Sequence, residues 1–508
     1  MEGYDGYKKK EENSRKIFMN TSTLKAHLHL LLVALASTAT LYPHTDKTYL
    51  SIRPDGFNST IEYTGYHQNF YQAWNRPFGS MLQITPFYSA SKDEHKLGEY
   101  FGIHDNRDSF SIGKVVTEVD PFAPPISNAD LANGLFIHDQ ATPADQRTLN
   151  GIVSLHPHRN VFGFQCLYIQ HVGSPTSPVF IRAQVPMLHV TQKVELRVDE
   201  SQPVMIGKKS FDLEDFFTGQ VVNVMGINQQ TALENLLIKG THKETGLGDF
   251  ACSLGYKFFQ KPNNHLFVSF DIVIPTGNKP CTQHLFQPVY GNGQHFGLGA
   301  SLDAGALVWK NQYAHLQLLS YLRYQYLFPN HEHRVPSICG QPFSQYYLLG
   351  ENGTTKPLFP AANVLRQLVH VKPHSMIDFM GMISFMCDGW TIDCGGTVFY
   401  KNRETVTPTH PFPSDRYGIA SPSFSSDGTT VFNAAGTLDG SMLTQKNITM
   451  DSITTPYLLS TKFFGGLSYT YKYQAVTFTL VGGASYEYAS TNADLEHYTL
   501  WTTLGMAF

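Results

Sequence analysis

The stretch Val476-Thr-Phe-Thr-Leu-Val-Gly-Gly-Ala-Ser-Tyr-Glu-Tyr488 decides the fold. Successive side chains of a strand point to opposite faces. Val476, Phe478, Leu480, Gly482, Ala484, Tyr486 and Tyr488 therefore share one side, and Thr477, Thr479, Val481, Gly483, Ser485 and Glu487 share the other. The next segment repeats the pattern. Tyr498, Leu500, Thr502, Leu504, Met506 and Phe508 alternate with His497, Thr499, Trp501, Thr503 and Gly505. In the preceding one, Leu459, Phe463, Leu467, Tyr469, Tyr471 and Tyr473 alternate with Ser460, Lys462, Ser468, Thr470 and Lys472. These segments far exceed the usual soluble strand of about five or six residues. Aromatics gather at segment ends, as in Leu322-x-Tyr324-x-Tyr326-x-Phe328, where a lipid interface would lie.

Connections strengthen the case. Going back from residue 508, long and short loops alternate. Residues 490–495 form a modest loop, Gln474 a tight turn, and 402–455 a long polar stretch. Then come the Asp388-Gly389 turn, the long 329–372 segment, the short 311–313, the longer 275–294 and the short 261–264. Outer-membrane barrels have short periplasmic turns and longer outer loops, whereas a soluble sandwich has no reason to put every long loop at one end.

Composition agrees. Of 508 residues only 15% are charged, and 13% are aromatic, with 27 Tyr and 35 Phe against 4 Trp. A net charge of −4 offers no basic field for nucleic acid. Lys8-Lys9-Lys10, Arg15, Lys16 and Lys25 precede an apolar run from Leu28 to Ala36, with small residues to Ala39. This reads as a signal peptide over 1–39, cleaved near Ala36 or Ala39, with Met19 an alternative start. Nowhere beyond Ala39 is there an apolar run long enough for a spanning helix. The expected location is the outer membrane of a Gram-negative-type bacterium.

Thr245-Gly-Leu-Gly-Asp249 opens a strand, Ile274-Pro-Thr-Gly277 ends the next, and Gly291-x-Gly293 with Gly297-x-Gly299 leads into a third. This run resembles the outer-membrane proteins linked to phenol degradation, relatives of the long-chain fatty-acid transporter. The resemblance covers roughly residues 245–330. It implies a barrel of about 14 strands that admits hydrophobic small molecules. The terminal Met506-x-Phe508 resembles the insertion signal read by the barrel-assembly machinery, departing from it at Thr503.

The front third is less regular. Strands are expected over 60–72, 79–91, 147–157, 160–173 and 178–199, which with nine later ones make 14. That count leaves 92–146 on the periplasmic side and a short outer turn at His156–Arg159, inverting the loop rule. A hidden strand pair near Phe101–Val119 or a lumenal plug would resolve it. Phe211–Phe217 and Gln229–Ile238 have helical spacing.

The inward register holds Lys257, Asp271, Asp303, Arg323, Asp378, Asp393, Lys462, Lys472 and Glu487, the candidate lumen-lining set. Both signs on one face suit a wet interior or a self-neutralising ladder. Cys387 and Cys394 flank a turn and could pair, and the other four cysteines suit apolar packing. His156-Pro157-His158 and His331-Glu332-His333 sit at expected turns, short of the three or four convergent ligands a metal needs. No Gly-x-Ser-x-Gly elbow is visible, and His265 with Ser269 shares a lumenal register, so no catalytic, cofactor or metal residue is assigned. The expectation is an all-β, antiparallel up-and-down transmembrane barrel of about 14 strands (12–16). Residues 40–245 would form its irregular part, with room for a plug or short helices, and 246–508 its regular part. Its partners would be outer-membrane lipid and small solutes, and its function passive passage. A structural or adhesive barrel with a filled lumen is the alternative, and an outer-membrane hydrolase stands behind both.

Overall fold

In a computed structural model, twelve strands close into one ring in which every neighbouring pair is antiparallel. The model describes residues 44–65, 79–92, 95–103, 107–113, 130–132, 150–173, 177–202, 204–206, 209–220, 230–261, 264–353, 357–424, 430–434 and 442–508. The expected signal peptide lies outside them.

The ring strands are β1 Ser80–Ser91, β2 Asn150–His171, β3 Val179–Gln202, β4 Phe250–Lys261, β5 Asn264–Ile274 and β6 Gly297–Lys310. They continue as β7 Ala314–Leu327, β8 His374–Cys387, β9 Trp390–Lys401, β10 Leu458–Tyr473, β11 Val476–Ala489 and β12 His497–Ala507. Sequence neighbours pair all round, and β1 closes the ring on β12. At the seam the Ser80 and Phe508 amides each donate to the other's carbonyl, at 3.0 and 2.9 Å. Closure leaves no exposed edge, so each backbone group can be paired inside lipid.

The surface is inverted relative to a soluble protein. Along β11 Phe478, Leu480 and Tyr488 are exposed, while Thr477, Thr479, Ser485 and Glu487 are buried. Tyr88, Phe296, Phe328, Tyr400, Tyr488 and Tyr498 are exposed at the loop end of the wall. Trp309, Tyr313, Trp390, Tyr469, Tyr471 and Tyr473 are exposed at the turn end. Between them lie exposed Ile84, Leu254, Phe270, Leu302, Leu318, Ile392, Leu467 and Leu500. Two aromatic girdles around an aliphatic band form the lipid-facing surface of a membrane barrel.

All nine strands expected after residue 245 are present, and the ring holds twelve strands, within the expected 12–16, with two more paired outside it. Residues 147–157 and 160–173 are not two strands. Residues 150–157 and 160–171 belong to the single strand β2, in which Pro157 pairs with Val194 and no turn exists at His156–Arg159. Turn chemistry was read into His-Pro-His, but before Asn160 β2 has no β1 partner and stands above the rim, where an interrupted ladder is tolerated. With β2 whole, the connection from β1 to β2 starts at the outer end of the ring and the loop rule holds. Ser109–Gly113 pairs with the raised part of β2, and Thr241–Leu247 pairs with β3. Residues 59–63 are a short helix rather than part of a strand, and 66–72 lie outside the described residues. Leu213–Phe217 is helical as its spacing suggests, whereas 230–238 is not. His331–His333 lies in the strand Asn330–Arg334, not a turn.

The outer loops share a core of their own. Tyr100, Phe101, Phe110, Phe216, Phe217, Phe343, Tyr346 and Leu365 are all buried in one cluster. The helix Leu213–Phe217 packs here, with Phe217 edge-on to Tyr346 at 5.0 Å.

Candidate functional site: the filled lumen

The lumen is occupied by the chain's own residues 51–65. Their side chains and backbone touch inward residues of eight strands spread around the ring, which is possible only from inside. Pro54 starts a turn closed by the Phe57 amide on the Pro54 carbonyl at 2.9 Å. A one-turn helix, α1 Ser59–Tyr63, follows with every residue buried. Gly65 stops it at φ 74°, where a Cβ would lie 2.6 Å from Val481 Cγ2. Only glycine takes that backbone angle without strain, and only glycine fits so close to β11.

Three ion-pair clamps fix this plug. Arg53 donates to Asp378 of β8 at 3.0 Å and to Glu487 of β11 at 3.2 Å, with its guanidinium over the Phe399 ring. Asp55 accepts both arms of Arg159 from β2, at 3.1 and 2.5 Å. Glu62 accepts both arms of Arg323 from β7, at 3.3 and 2.5 Å, and the Gln184 amide from β3 at 2.8 Å. Bidentate guanidinium–carboxylate pairs fix orientation as well as distance.

Further polar and aromatic contacts fill the remainder. Tyr63 stacks on Tyr321 at 4.0 Å and accepts from Arg182 at 2.7 Å. Lys462 donates to Asn58 at 3.3 Å and pairs with Glu487 at 2.8 Å. Asp393 accepts the Gly65 amide at 3.0 Å, and Lys401 donates to the Ser51 hydroxyl at 2.7 Å. A cavity of about 40 Å³ beside Tyr49, Arg53, Asp55, Arg159 and Glu404 has room for water but not for a solute.

Of the nine lumen candidates, Arg323, Asp378, Asp393, Lys462 and Glu487 come together around the plug. Asp271 pairs with Arg182 at 3.4 Å, and Asp303 with His265 at 2.9 Å. Lys257 is buried on β4, and Lys472 is exposed beside the β10–β11 turn. Arg53, Asp55, Glu62 and Arg159, which carry clamps, and Arg182, which holds Tyr63, were absent from that set. Arg159 was hidden in a misread turn and Glu62 in a misread strand. Ser269 bonds Ser301 at 2.6 Å, while His265 serves Asp303. All six cysteines are free, so Cys387 and Cys394 are unpaired. Met506 is half-buried on β12, and Phe508 is held by Ser80 at the seam.

The motif behind the family resemblance forms one tie between outer loops. Asp249 accepts the Gly277 amide at 3.2 Å and the Asn292 amide at 2.6 Å, and the Thr276 hydroxyl donates to the Gly248 carbonyl. A Cβ on Gly291 would meet Asp249 Oδ1 at 2.6 Å, which is why glycine stands there.

No family model and no curated protein matches this chain. Its neighbours among solved structures include outer-membrane channels and autotransporter β-domains. An outer-membrane channel from Pseudomonas putida F1 is 10% identical, covering 85% of this chain and 96% of its own, at a TM-score of 0.38. A Pseudomonas aeruginosa FadL homologue is 9% identical, covering 91% and 98%, at 0.26. A deletion mutant of TodX, a monoaromatic hydrocarbon channel, is 8% identical, covering 87% and 93%, at 0.32. Likeness at this level carries no argument here; the strand ring and its inverted surface do.

Proposed function

We propose that this protein is an outer-membrane channel for small solutes, closed in the present state by its own N-terminal segment. One observation carries the reading: residues 51–65 plug the lumen through buried ion pairs, beside apolar contacts of Phe57, Ile61 and Tyr63 with the wall. Buried ion pairs add little net stability over apolar packing, yet they fix register sharply. A plug held this way has a defined seat and can leave it for a wet, charged interior. The wall left behind carries both signs, which favours weak ion selectivity. Passage of hydrophobic solutes is supported by the Thr245–Asp249, Pro275–Gly277 and Gly291–Gly299 resemblance alone. Insertion would use the barrel-assembly machinery, with Met506 and Phe508 as the terminal signal.

A structural or adhesive barrel is the second reading. It is favoured by the outer loops, which bury a core of their own above the ring. Planar-bilayer recording separates the two. Refolded parent protein should show rare, brief openings, and a variant lacking residues 44–65 should show a steady conductance. A folded deletion variant that never conducts would sink the channel reading and leave the structural one.

A further inference from the structure

We propose that His95, Asp108 and His156 form a binding site for a divalent transition cation of the zinc class on the outer rim of the barrel. One donor atom from each lies within 4.8 Å of the others. His95 Nδ1 stands 2.6 Å from Asp108 Oδ2, and His156 Nδ1 stands 4.0 Å from the same oxygen. The two imidazoles meet edge to face with centroids 5.7 Å apart.

Three separate elements bring these residues together. His95 opens the helix His95–Phe101, Asp108 precedes the strand Ser109–Gly113, and His156 lies on the raised part of β2. The strand pairing of Ser109 with Ser154 and the Leu155 amide on the Asp108 carbonyl at 3.0 Å fix the last two relative to each other. Gly98 lets the helix approach, since a Cβ there would lie 2.3 Å from the Leu155 carbonyl oxygen and 2.8 Å from Asp108 Cβ. The geometry is therefore built by backbone packing, not by one mobile side chain.

His156 is also oriented from behind. Its Nε2 lies 3.2 Å from the Ser154 hydroxyl. With that nitrogen protonated and donating to Ser154, the Nδ1 lone pair faces Asp108. An outer hydrogen bond of this kind sets the tautomer of a metal-binding histidine. His156 is buried, while His95 is largely exposed.

The donor set selects the ion class. Two imidazoles and one carboxylate suit zinc, cobalt or nickel, whereas calcium and magnesium prefer all-oxygen shells. Bonds of about 2.0–2.1 Å place tetrahedral donors roughly 3.3 Å apart. The His95–Asp108 pair must open by under about 1 Å and the Asp108–His156 pair close by about as much, which side-chain torsions can supply. Bound metal would pin the helix His95–Phe101 to β2. This site does not depend on whether the barrel conducts.

The test uses the full-length protein refolded in detergent and stripped with EDTA. Titration with Zn²⁺ should saturate at one equivalent per chain, and Co²⁺ should give visible absorption that Zn²⁺ abolishes. His95→Ala and Asp108→Asn should each weaken Zn²⁺ binding at least about tenfold, because even outer partners of a zinc ligand are worth roughly that much. His331→Ala, at a histidine pair elsewhere in the outer loops, should leave it unchanged. Binding should fall away below about pH 6 as the imidazoles protonate. Heat-modifiable gel migration shows that each variant is folded. Absence of saturable binding in the parent, persistence in both ligand variants, or loss with His331→Ala would overturn the proposal.

Discussion

Glu62 and Arg323, 261 positions apart in the chain, meet inside the barrel with both carboxylate oxygens on both guanidinium arms. Both side chains are buried. One belongs to the plug and the other to the wall, so this contact sets how far the segment enters. Tyr321 extends it: its hydroxyl accepts from Arg323 at 2.8 Å, while its ring supports Tyr63.

Removing one partner should unseat the plug. Glu62→Ala leaves the Arg323 charge buried without its carboxylate, a loss of about 3–5 kcal/mol for pairs of this kind. Glu62→Ala combined with Arg323→Met removes both charges and should restore most of the closed state. Chymotrypsin reports the difference at Phe57, which is 4% exposed when seated. The single variant should be cut there faster than the parent, and the double variant should return toward it. Equal protection of all three would show that this pair does not hold the segment.

A backbone change should act on the same element without touching charge. Gly65→Ala places a Cβ in a left-handed conformation that costs roughly 1–2 kcal/mol, besides crowding Val481. Single-channel recording should show more frequent openings than in the parent. Unchanged gating in a folded protein would mean that the end of α1 does not constrain the plug.

The two faces of β11 give a direct check on membrane orientation. Leu480 is 62% exposed, and Leu480→Arg should cost about 2–4 kcal/mol at mid-bilayer, read from urea unfolding in lipid vesicles. Thr479 faces inward at 1% exposure, 3.0 Å from Thr470. From the alternation alone, Thr479→Arg would be nearly silent, because an inward face suggests open water. The packed interior changes that expectation: arginine there meets neighbouring side chains and should destabilise too, whereas Thr479→Ser should be silent. A stable Leu480→Arg variant would reverse the assignment of the faces.

How much was legible follows from the same contrast. Period-two alternation and loop lengths are local, so β4–β12 could be read strand by strand from residues such as Leu467, Ser468 and Tyr469. The inward registers of Asp378, Lys462 and Glu487 came with them. The plug could not be read that way. Ile61, Glu62 and Tyr63 mimic a strand in their alternation, and their helical state depends on a cylinder closed by residues hundreds of positions later. Arg159 was lost to Pro157, whose turn propensity is local while its place in β2 is set by pairing with β3. The His95, Asp108 and His156 grouping was equally out of reach, since only the packing of Gly98 against Leu155 unites them.

The outer loops should respond to acid through Glu332. Burial alone pushes this carboxyl up, but Arg334 beside it and the His295 hydrogen bond at 3.0 Å pull it down to about 2. Burial likewise opposes the charge on Glu404, and Arg334 and Lys401 overcome it, so that carboxyl is also lowered. A carboxyl held below its ordinary value of 4.5 contributes stability above that pH. The contribution fades as pH falls from about 4.5 toward about 2, because the unfolded chain then binds the proton first. For Glu332 it amounts to roughly 3 kcal/mol at neutral pH. Pepsin digestion at stepwise lower pH should therefore open the outer loops over that window while the ring strands stay protected. Glu332→Gln should already be susceptible at pH 5 and lose much of the pH dependence. Glu351→Gln, whose partner Arg416 lies at the surface, should digest like the parent. A Glu332→Gln profile that matches the parent throughout would remove Glu332 as the origin of the acid response.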